Sequence, residues 1–299
     1  MNRNFIYLIN PISGTKNKTG LLKLIQERTH QENIPYQVLD TNAKGDYSFL
    51  KEKILTEKIT DIIICGGDGT INQVCASLVN VDVNIGIIPM GSGNGLALAA
   101  GISKDPSKAL DIIFKGAASY IDSFNINSKF SCMLCGLGFD AQVAHDFAKH
   151  SSRGLSTYVK LSLRNFLAAR PYPFIIEAHN TIIKADAFFI SIANSNQFGN
   201  NFTIAPAASL ADGLLDIVVV NKMNKLKLVY AILKQIRVGK VLSTGSAKFK
   251  KKGIQYFQTN MLVIKNPLGA PLHIDGDPAD TSDEFTIKLV EKAFRLLQP

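Results

Sequence analysis

Short, wholly apolar segments alternate with amphipathic segments over the first 120 residues of the chain. The apolar segments predict buried strands at Phe5–Ile9, Tyr36–Leu39, Asp61–Cys65 and Asn84–Ile88. The intervening segments repeat apolar residues near helical spacing, and they predict helices around Leu21–Arg28, Phe49–Ile59, Ile71–Val79 and Gly95–Ala100. Strands that are apolar on both faces and alternate with helices are typical of a parallel sheet covered on both sides. We therefore expect an α/β domain at the N-terminal end.

The pattern changes after Asp122, where strand-like segments follow one another with turns between them. These segments are Phe124–Phe139, Phe174–His179, Ile182–Ala193, Leu214–Val220, Ile254–Ile264 and Phe285–Val290. Two helical patterns interrupt them, at Ser156–Ala168 and Lys225–Val238. Consecutive strands predict antiparallel sheets packed as a sandwich or barrel. We expect domains at residues 1–122 and 123–299, with the last residues able to pack back on the first domain.

The net charge of the chain is informative only when the positions of the charged residues are considered. The 299 residues are 46% hydrophobic and carry a net charge of +9, a composition that excludes disorder, collagen and coiled coil. A basic protein suggests nucleic acid or an anionic membrane as partner. However, residues 217–274 hold 11 Lys and Arg and no Asp or Glu, which leaves 22 basic and 24 acidic residues elsewhere. The basic character therefore belongs to one segment.

That segment combines a predicted amphipathic helix with a run of lysines. The helix is Lys225–Val238, and Lys248, Lys250, Lys251 and Lys252 follow it with aromatic residues nearby. The helix and the lysines favour peripheral contact with an anionic membrane surface. We do not expect nucleic acid as a partner. An ordinary helix packed on the sheet with a solvated charged rim is the alternative.

Two further features indicate the compartment. The chain has no apolar stretch of 18 residues, and its first apolar run is too short for the core of a signal peptide. The four cysteines are too few for a disulfide scaffold, and Cys132 and Cys135 are expected to be buried strand thiols. We expect a cytoplasmic protein that reaches lipid from the membrane surface.

Three glycine-rich turns each follow a predicted strand and precede a predicted helix. They are Asn10–Gly14, Gly66–Thr70 and Gly91–Asn94. The carboxyl ends of parallel strands share one edge, and backbone N–H groups at a helix start bind anions. Glycine lets a phosphate approach the backbone. The turns therefore predict a phosphate site, although neither the P-loop nor the usual dinucleotide fingerprint is present.

Acidic residues lie in and beyond these turns. Asp68 brings a negative charge to a phosphate loop, which favours a bridging Mg²⁺ or a proton-accepting role, with capping of the following helix as the alternative. Asp275 and Asp277 flank a glycine. They are either a functional pair of carboxylates at the end of a strand or part of an exposed hairpin turn. The turn from Ser209 to Asp216 offers carbonyls and Asp212 to a cation.

Taken together, these motifs resemble the diacylglycerol kinase catalytic-domain family, especially its soluble bacterial lipid kinases. Sphingosine and ceramide kinases share that ancestry, and NAD kinases and phosphofructokinases carry a loop similar to Gly66–Thr70. The motifs occur in the family's order: Asn10-Pro11-x-Ser13-Gly14, Gly66-Gly67-Asp68-Gly69-Thr70, Pro89–Asn94, Asp212–Asp216 and Asp275-Gly276-Asp277.

The resemblance implies an ATP-dependent kinase acting on a lipid hydroxyl, with a nucleotide-binding α/β domain, a β-sandwich domain for the lipid, and Mg²⁺ as cofactor. It places ATP against Asn10, Pro11, Ser13, Gly14, Thr41, Gly66, Gly67, Asp68, Gly69, Thr70, Asn72, Ser92, Gly93 and Asn94. It implies Asp277 as proton acceptor, with Asp275 and Asp68 completing the carboxylate set and Asp122 as a weaker member. It puts a structural cation against the carbonyls of Ser209 and Leu214 and the carboxylate of Asp212.

Two departures keep alternatives open. Asp277 stands where the bacterial enzymes usually have Glu, so either the backbone has moved in or Asp275 or Asp68 takes the proton. Gly91–Gly95 looks closer to the sphingosine-kinase version of its loop, which makes a sphingoid base an alternative to a diacylglycerol-like substrate. A nucleotide kinase of the NAD kinase kind, a non-catalytic lipid-binding relative and a homodimer also stay open.

Overall fold

The computed structural model describes residues 3–11, 18–150, 155–197, 204–223, 248–251 and 253–299. These residues divide into two compact units. The first unit contains Met1–Asp122 and Glu291–Pro299, and the second contains Ser123–Val290. The predicted helix at Lys225–Val238 lies outside the described residues, as do Ser13, Gly14 and Lys252.

A parallel sheet forms the centre of the first unit. Its strands are β1 (Phe5–Ile9), β2 (Tyr36–Asp40), β3 (Asp61–Gly66) and β4 (Asn84–Pro89). They lie in the order β4-β3-β1-β2, and every neighbouring pair is parallel. Every residue of β1 and β3 is buried, because these strands are apolar on both faces and helices must cover both.

The helices of this unit are α1 (Lys18–Gln31), α2 (Phe49–Thr56), α3 (Asp68–Ser77), α4 (Gly95–Ala99) and α5 (Pro106–Lys115). The α/β prediction is confirmed, with shifted helix ends. α3 starts three residues before the predicted Ile71, because the glycine turn itself provides the N-cap at Gly67. α5 begins at the signal Asp105-Pro106, where the Asp105 carboxylate accepts hydrogen bonds from the N–H groups of Ser107 and Lys108.

The second unit is mainly antiparallel β-structure, as predicted. Its strands are β5 (Ala117–Ile126, which begins in the first unit), β6 (Lys129–Ser131), β7 (Leu134–Gly138), β8 (Tyr172–Ala178), β9 (Thr181–Ala193), β10 (Leu215–Asn221), β11 (Lys248–Lys251), β12 (Ile254–Thr259), β13 (Met261–Lys265), β14 (Leu272–Ile274), β15 (Asp277–Ala279) and β16 (Glu284–Gln298). β9 pairs with β8 along its first half and lies between β10 and β7 along its second half. Apolar side chains from these strands form one buried core.

Two helices of the second unit are described, α6 (Phe139–Lys149) and α7 (Leu155–Ala168). α7 agrees with the predicted helix. The predicted strand-like segment Phe124–Phe139 is wrong at its last residue, because helix α6 begins at Phe139. The apolar side chains that α6 buries are small or branched, namely Ala141, Val143 and Ala144. Because this apolar face is narrow, the helical pattern of α6 is weak compared with the strand pattern of the apolar segment before it.

β16 is much longer than the predicted segment Phe285–Val290. Its first part pairs antiparallel with β13, and Arg295 and Leu296 then pair in parallel with Asn84 and Ile85 of β4. The end of the chain therefore adds a fifth parallel strand to the sheet of the first unit. Among the described helices, none is both long and apolar enough to cross a membrane.

Candidate functional site

The structure places the first residues of the predicted phosphate loops side by side at the carboxyl edge of the parallel sheet. Asn10 follows β1 and donates its N–H to the carbonyl of Cys65 in β3 at 3.0 Å. Met90 follows β4 and donates its N–H to the carbonyl of Gly66 at 2.8 Å. Thr41 follows β2 and donates its N–H to the carbonyl of Ile9 at 3.0 Å. The ladder of the sheet thus continues into the loops and holds their first residues in register.

Two of the loops contact each other through glycines. A Cβ added to Gly91 would lie 2.8 Å from the Cα of Gly67, and one added to Gly67 would lie 3.2 Å from the Cα of Gly91. Neither residue has a positive φ angle, so close approach of the two backbones is what requires glycine here. The Gly66–Thr70 and Gly91–Asn94 loops therefore form one joined surface.

The Asp68 carboxylate ties this surface to α4. Its Oδ2 accepts the N–H of Asn94 at 2.7 Å, and its Oδ1 accepts the N–H of Gly95 at 2.8 Å. Asp68 thus satisfies two N–H groups at the start of α4, a different helix from the one it begins, α3. Both oxygens of this half-buried carboxylate support the loop structure.

The side chain of Asn94 also stabilises the Gly91–Asn94 loop. Asn94 adopts a left-handed conformation with φ of 55°, and its side chain forms a closed ring with Gly91. Its Oδ1 accepts the N–H of Gly91 at 2.8 Å, and its Nδ2 donates to the carbonyl of Gly91 at 2.7 Å. Asparagine is among the few non-glycine residues that tolerate this conformation. Asn94 therefore acts as a structural residue of the loop.

The start of α3 offers the chemistry of an anion site. The first N–H groups of an α-helix have no partner inside the helix, and the helix dipole is positive there. Thr70 lies in that first turn, and its Oγ1 accepts a hydrogen bond from Asn10 Nδ2 at 2.8 Å. Asn72 is half-buried on α3, Ser92 is exposed and Gly93 is half-buried in the neighbouring loop. Asn10, Thr70, Asn72, Ser92 and Gly93 thus lie around the first turn of α3 and the loop beside it.

A second acidic turn lies in the other unit, where β14 and β15 form a tight hairpin. Its two loop residues are Asp275 and Gly276, with φ angles of 49° and 88°. Positive φ at both positions is the geometry of a type I′ turn, in which Asp-Gly is a favoured pair. The hairpin places the predicted carboxylates of Asp275 and Asp277 on the two sides of one glycine.

The two carboxylates have different surroundings. Asp275 is buried, and its carboxylate accepts hydrogen bonds from Ser131 Oγ at 2.6 Å and from three consecutive backbone N–H groups. These belong to Cys132 at 3.0 Å, Met133 at 3.1 Å and Leu134 at 3.0 Å. Asp277 is exposed at the first position of β15. Asp275 is thus buried among hydrogen-bond donors of the protein, whereas Asp277 is exposed.

The sequence analysis gave His273 no role and missed Asp140. His273 is buried beside the hairpin, its Nδ1 accepts the N–H of Gly276 at 3.3 Å, and its Nε2 lies 3.4 Å from Oδ2 of the buried Asp140. Asp140 lies 133 positions earlier in the chain, in the first turn of α6. The pairing of β14 with β7 and the packing of α6 against β14 bring the two together, so no local pattern could have revealed the contact.

The cysteines of this region are buried thiols, as expected. Cys132 and Cys135 are fully buried and unpaired with one another. Burial raises the pKa of the Cys135 thiol, and the negative charges of Asp275 and Asp140 raise it further. The Cys135 thiol therefore stays protonated near neutral pH. Asp122, the weaker acidic candidate, is also buried and accepts the N–H of Lys292 at 2.8 Å.

The predicted cation turn is a surface loop whose donors are oxygen atoms. Asp212 is exposed, and its Oδ1 accepts the N–H of Leu214 at 3.2 Å. Asp216 lies just beyond it, where burial raises its pKa to about 7, while a hydrogen bond from Gln258 acts in the opposite direction. Carboxylate and carbonyl oxygens suit Mg²⁺ or Ca²⁺. No cluster of three or more metal-binding side chains occurs within the described ranges, so Ser209, Asp212 and Leu214 would need water to complete a site.

Comparison with known proteins follows the division into two units. Residues 4–126 match the model of the diacylglycerol kinase catalytic domain, and residues 134–282 match that of the YegS C-terminal NAD kinase beta sandwich-like domain. A protein of Shewanella frigidimarina (strain NCIMB 400) named "Probable lipid kinase YegS-like" is 27% identical over 258 residues, covering 83% of this chain and 80% of that protein. The diacylglycerol kinase of Bacillus subtilis (strain 168) is 25% identical over 275 residues, covering 90% of this chain and 88% of that protein.

The fold has a counterpart among solved structures. A crystal structure of a diacylglycerol kinase from Bacillus anthracis str. Sterne matches with a TM-score of 0.75 at 18% sequence identity. The match covers 100% of this chain and 97% of that one.

Proposed function

Because the chain belongs to the diacylglycerol kinase catalytic-domain family and is a lipid kinase, we propose that it transfers the γ-phosphate of ATP to the hydroxyl of a diacylglycerol-like lipid. The observation that carries this proposal is the joined surface made by the two glycine loops at the start of α3. The Gly67–Gly91 contact brings the two backbones together beside the start of α3, and the Asp68 carboxylate holds the loops in that arrangement. Backbone N–H groups at a helix start are suited to the charge of a triphosphate.

The residues of the loops bind and orient the nucleotide. Thr70 and Asn10 form the wall next to the first turn of α3, and Gly93 lies against Oδ2 of Asp68. Mg²⁺, when bound, would offset negative charge on the β- and γ-phosphates, and Asp68, the acidic residue of these loops, would help to hold it. Fixed N–H groups of this kind stabilise charge without reorganising during transfer.

We assign proton acceptance to Asp277. Asp275 is buried and accepts hydrogen bonds from Ser131 and three backbone amides, whereas Asp277 is exposed at the start of β15. The lipid oxygen bonds to the γ-phosphorus as the bond between that phosphorus and the β-phosphate oxygen breaks. ADP leaves, and the hydroxyl proton passes to the Asp277 carboxylate. A base must come within about 3 Å of the proton that it accepts.

Ser209, Asp212 and Leu214 are proposed as ligands of a structural Mg²⁺. The support is the oxygen-only donor set of this turn and the closed loop that Asp212 forms with the Leu214 N–H. Adding Mg²⁺ to the metal-free protein, with ATP absent, should raise the unfolding temperature. An equal rise in the Asp212→Ala variant would contradict this assignment.

Phosphate transfer itself is tested with labelled ATP. Purified protein is incubated with ATP labelled at the γ-phosphate and with diacylglycerol, a sphingoid base or NAD in separate reactions. Label in a lipid phosphate from diacylglycerol supports the proposal, and label in the sphingoid product favours the alternative suggested by the Gly91–Gly95 loop. Transfer to NAD alone, or no ATP consumption with any acceptor, contradicts it.

The basic segment supports contact with an anionic membrane surface. Lys248, Lys250 and Lys251 lie on β11, which pairs antiparallel with β12, and residues 217–274 contain no acidic residue. Each lysine near an anionic leaflet contributes roughly 1 kcal/mol. Because the four cysteines form no disulfide, a reducing cytoplasm is the compartment that we propose.

A charge reversal tests this contact. Changing Lys248, Lys250, Lys251 and Lys252 to Glu should abolish sedimentation with anionic vesicles at low salt but preserve activity on detergent-dispersed lipid. The matched control changes four exposed lysines of the first unit to Glu: Lys44, Lys51, Lys108 and Lys115. Equal vesicle binding by the parent and the first variant would rule out this contact.

A further inference from the structure

The direction of the Asp277 side chain depends on a very short hairpin. β14 and β15 pair over three residues each, and only Asp275 and Gly276 lie between them. The carboxylate of Asp275 anchors one side of this turn to the segment from Ser131 to Leu134. The other side, which leads directly into Asp277, is anchored through the N–H of Gly276.

The acceptor of that N–H is the imidazole of His273. Its Nδ1 receives the hydrogen bond at 3.3 Å, and an imidazole that accepts at Nδ1 is the neutral tautomer with its proton on Nε2. The histidine is 2% exposed and Gly276 is exposed, so the contact joins a buried ring to a turn at the surface. The buried ring of His273 therefore anchors the turn through Gly276, and the next residue, Asp277, is exposed.

A glycine on the neighbouring strand makes room for the ring. His273 pairs with Gly136 of β7, and a Cβ on Gly136 would lie 2.5 Å from Nε2 of His273 and overlap the Asp140 carboxylate. Any larger residue at this position would push the imidazole away from the hairpin. The space above Gly136 lets Nε2 face Asp140 on α6.

Asp140 is placed to hold that tautomer. Its Oδ1 accepts the N–H of Ala141 at 2.9 Å, while its buried Oδ2 makes no hydrogen bond to the described part of the chain and faces Nε2 at 3.4 Å. An anionic oxygen beside Nε2 favours the proton on that nitrogen and leaves Nδ1 as acceptor. Its position in the first turn of α6 also suits a negative charge.

We infer that His273 and Asp140 are positioning residues: Asp140 sets the imidazole tautomer, and the imidazole holds the Gly276 N–H so that Asp277 points at the lipid hydroxyl. The inference rests on the proposed role of Asp277 as proton acceptor. A reacting group displaced by about 1 Å loses rate by about 10²-fold, so loss of this anchor should lower kcat by about 10-fold or more. Binding of ATP uses loops of the first unit and should not change.

Two substitutions separate the two contacts of the imidazole. His273→Asn places an amide oxygen at the position of Nδ1 and retains an acceptor for the Gly276 N–H. His273→Gln places its amide one bond further out, where it reaches Asp140 but offers Gly276 no acceptor. We expect kcat to fall by about 10-fold or more in His273→Gln and to be restored to within about threefold in His273→Asn, with KM for ATP unchanged in both.

His145 provides the matched control. It lies on α6, and its Nε2 is 2.9 Å from the carbonyl of Leu272, on the same strand but away from the turn. His145→Gln should retain a donor to that carbonyl and leave kcat unchanged. Asp140→Asn is a second, milder variant in case His273→Gln does not fold, and it should lower kcat while leaving KM for ATP unchanged.

A double substitution shows whether the effect passes through Asp277. If it does, His273→Gln should lower kcat in the parent and have almost no further effect in the Asp277→Asn background. An equal fold-loss in both backgrounds, or unchanged kcat in folded His273→Gln and Asp140→Asn, would overturn the inference. Full activity of Asp277→Asn itself would instead refute the assignment of the proton acceptor, so the two failures are distinguishable.

Discussion

Two acidic turns, one in each unit, use a carboxylate in the same way but in different surroundings. Asp68 accepts the N–H groups of Asn94 and Gly95, and Asp275 accepts those of Cys132, Met133 and Leu134. Asp68 is half-buried among the glycine loops, whereas Asp275 is buried within the second unit. Both carboxylates organise the backbone next to a proposed functional residue or site.

The difference lies in how closely structure and chemistry are combined. In the first unit, the carboxylate that joins the loops lies at the proposed phosphate site itself. In the second unit, the tasks are divided between two residues, because Asp275 supports the turn and the exposed Asp277 carries the charge. Substitutions should therefore separate stability from catalysis in the second unit and affect both in the first.

The largest effect is expected from Asp275→Asn, as a loss of stability. Asparagine tolerates the left-handed conformation of this position, so the change removes the charge and leaves the turn type intact. One amide group cannot accept all the hydrogen bonds that the carboxylate receives, and the free energy of unfolding should fall by about 3 kcal/mol or more. Denaturant titration measures this loss. Asp280→Asn, at an exposed position nearby, should stay within about 0.5 kcal/mol of the parent.

Asp277→Asn should have the next largest effect, and on catalysis alone. Removal of a general base lowers kcat by about 10²-fold or more, which corresponds to about 2.7 kcal/mol of activation free energy. The free energy of unfolding should not change, because the side chain is exposed. Initial rates at saturating ATP and lipid give the comparison, again with Asp280→Asn as control. A parent-like kcat would place the proton acceptor elsewhere.

The smallest effect is expected from Asp68→Ala, which should change two quantities together. Loss of its hydrogen bonds to Asn94 and Gly95 should lower the free energy of unfolding by about 1 to 2 kcal/mol and raise KM for ATP by about 10-fold. The matched control is Asp105→Ala. Asp105 likewise accepts two N–H groups at a helix start, but it does so at α5, outside the glycine loops. Loss of stability in both variants with no rise in KM for ATP in Asp68→Ala would show that Asp68 has only a structural role.

The elements that sequence predicts well are those whose pattern is local. β1, β3 and β4 are apolar on both faces, and each runs directly into a glycine turn or a proline, so their type and their shared edge follow from the chain alone. α6 was missed because its buried face is built of small residues. The last part of β16 was missed because it continues past Lys292, whose positive φ interrupts the extended backbone, and its partner β4 is distant in sequence.

The candidate site, like the fold, is predictable from sequence only where its pattern is local. Glycine turns and paired aspartates are visible as motifs, but the partners of the carboxylates are not. Asp68 reaches Asn94, Asp275 reaches the segment from Ser131, and His273 reaches Asp140 across long stretches of chain. Which carboxylate is structural and which is exposed depends on these pairings, and they follow from strand register rather than from local composition.

The last strand has a consequence for synthesis of the protein. Asn84 and Ile85 leave the ribosome long before Arg295 and Leu296, so one edge of β4 has no strand partner while the whole second unit is being made. An unpaired apolar strand edge is a template for wrong pairing between chains. Nascent chains that stop before Arg295 would keep that edge open. The parallel sheet of the first unit is therefore among the last parts of the molecule to be completed, although its other strands are made first.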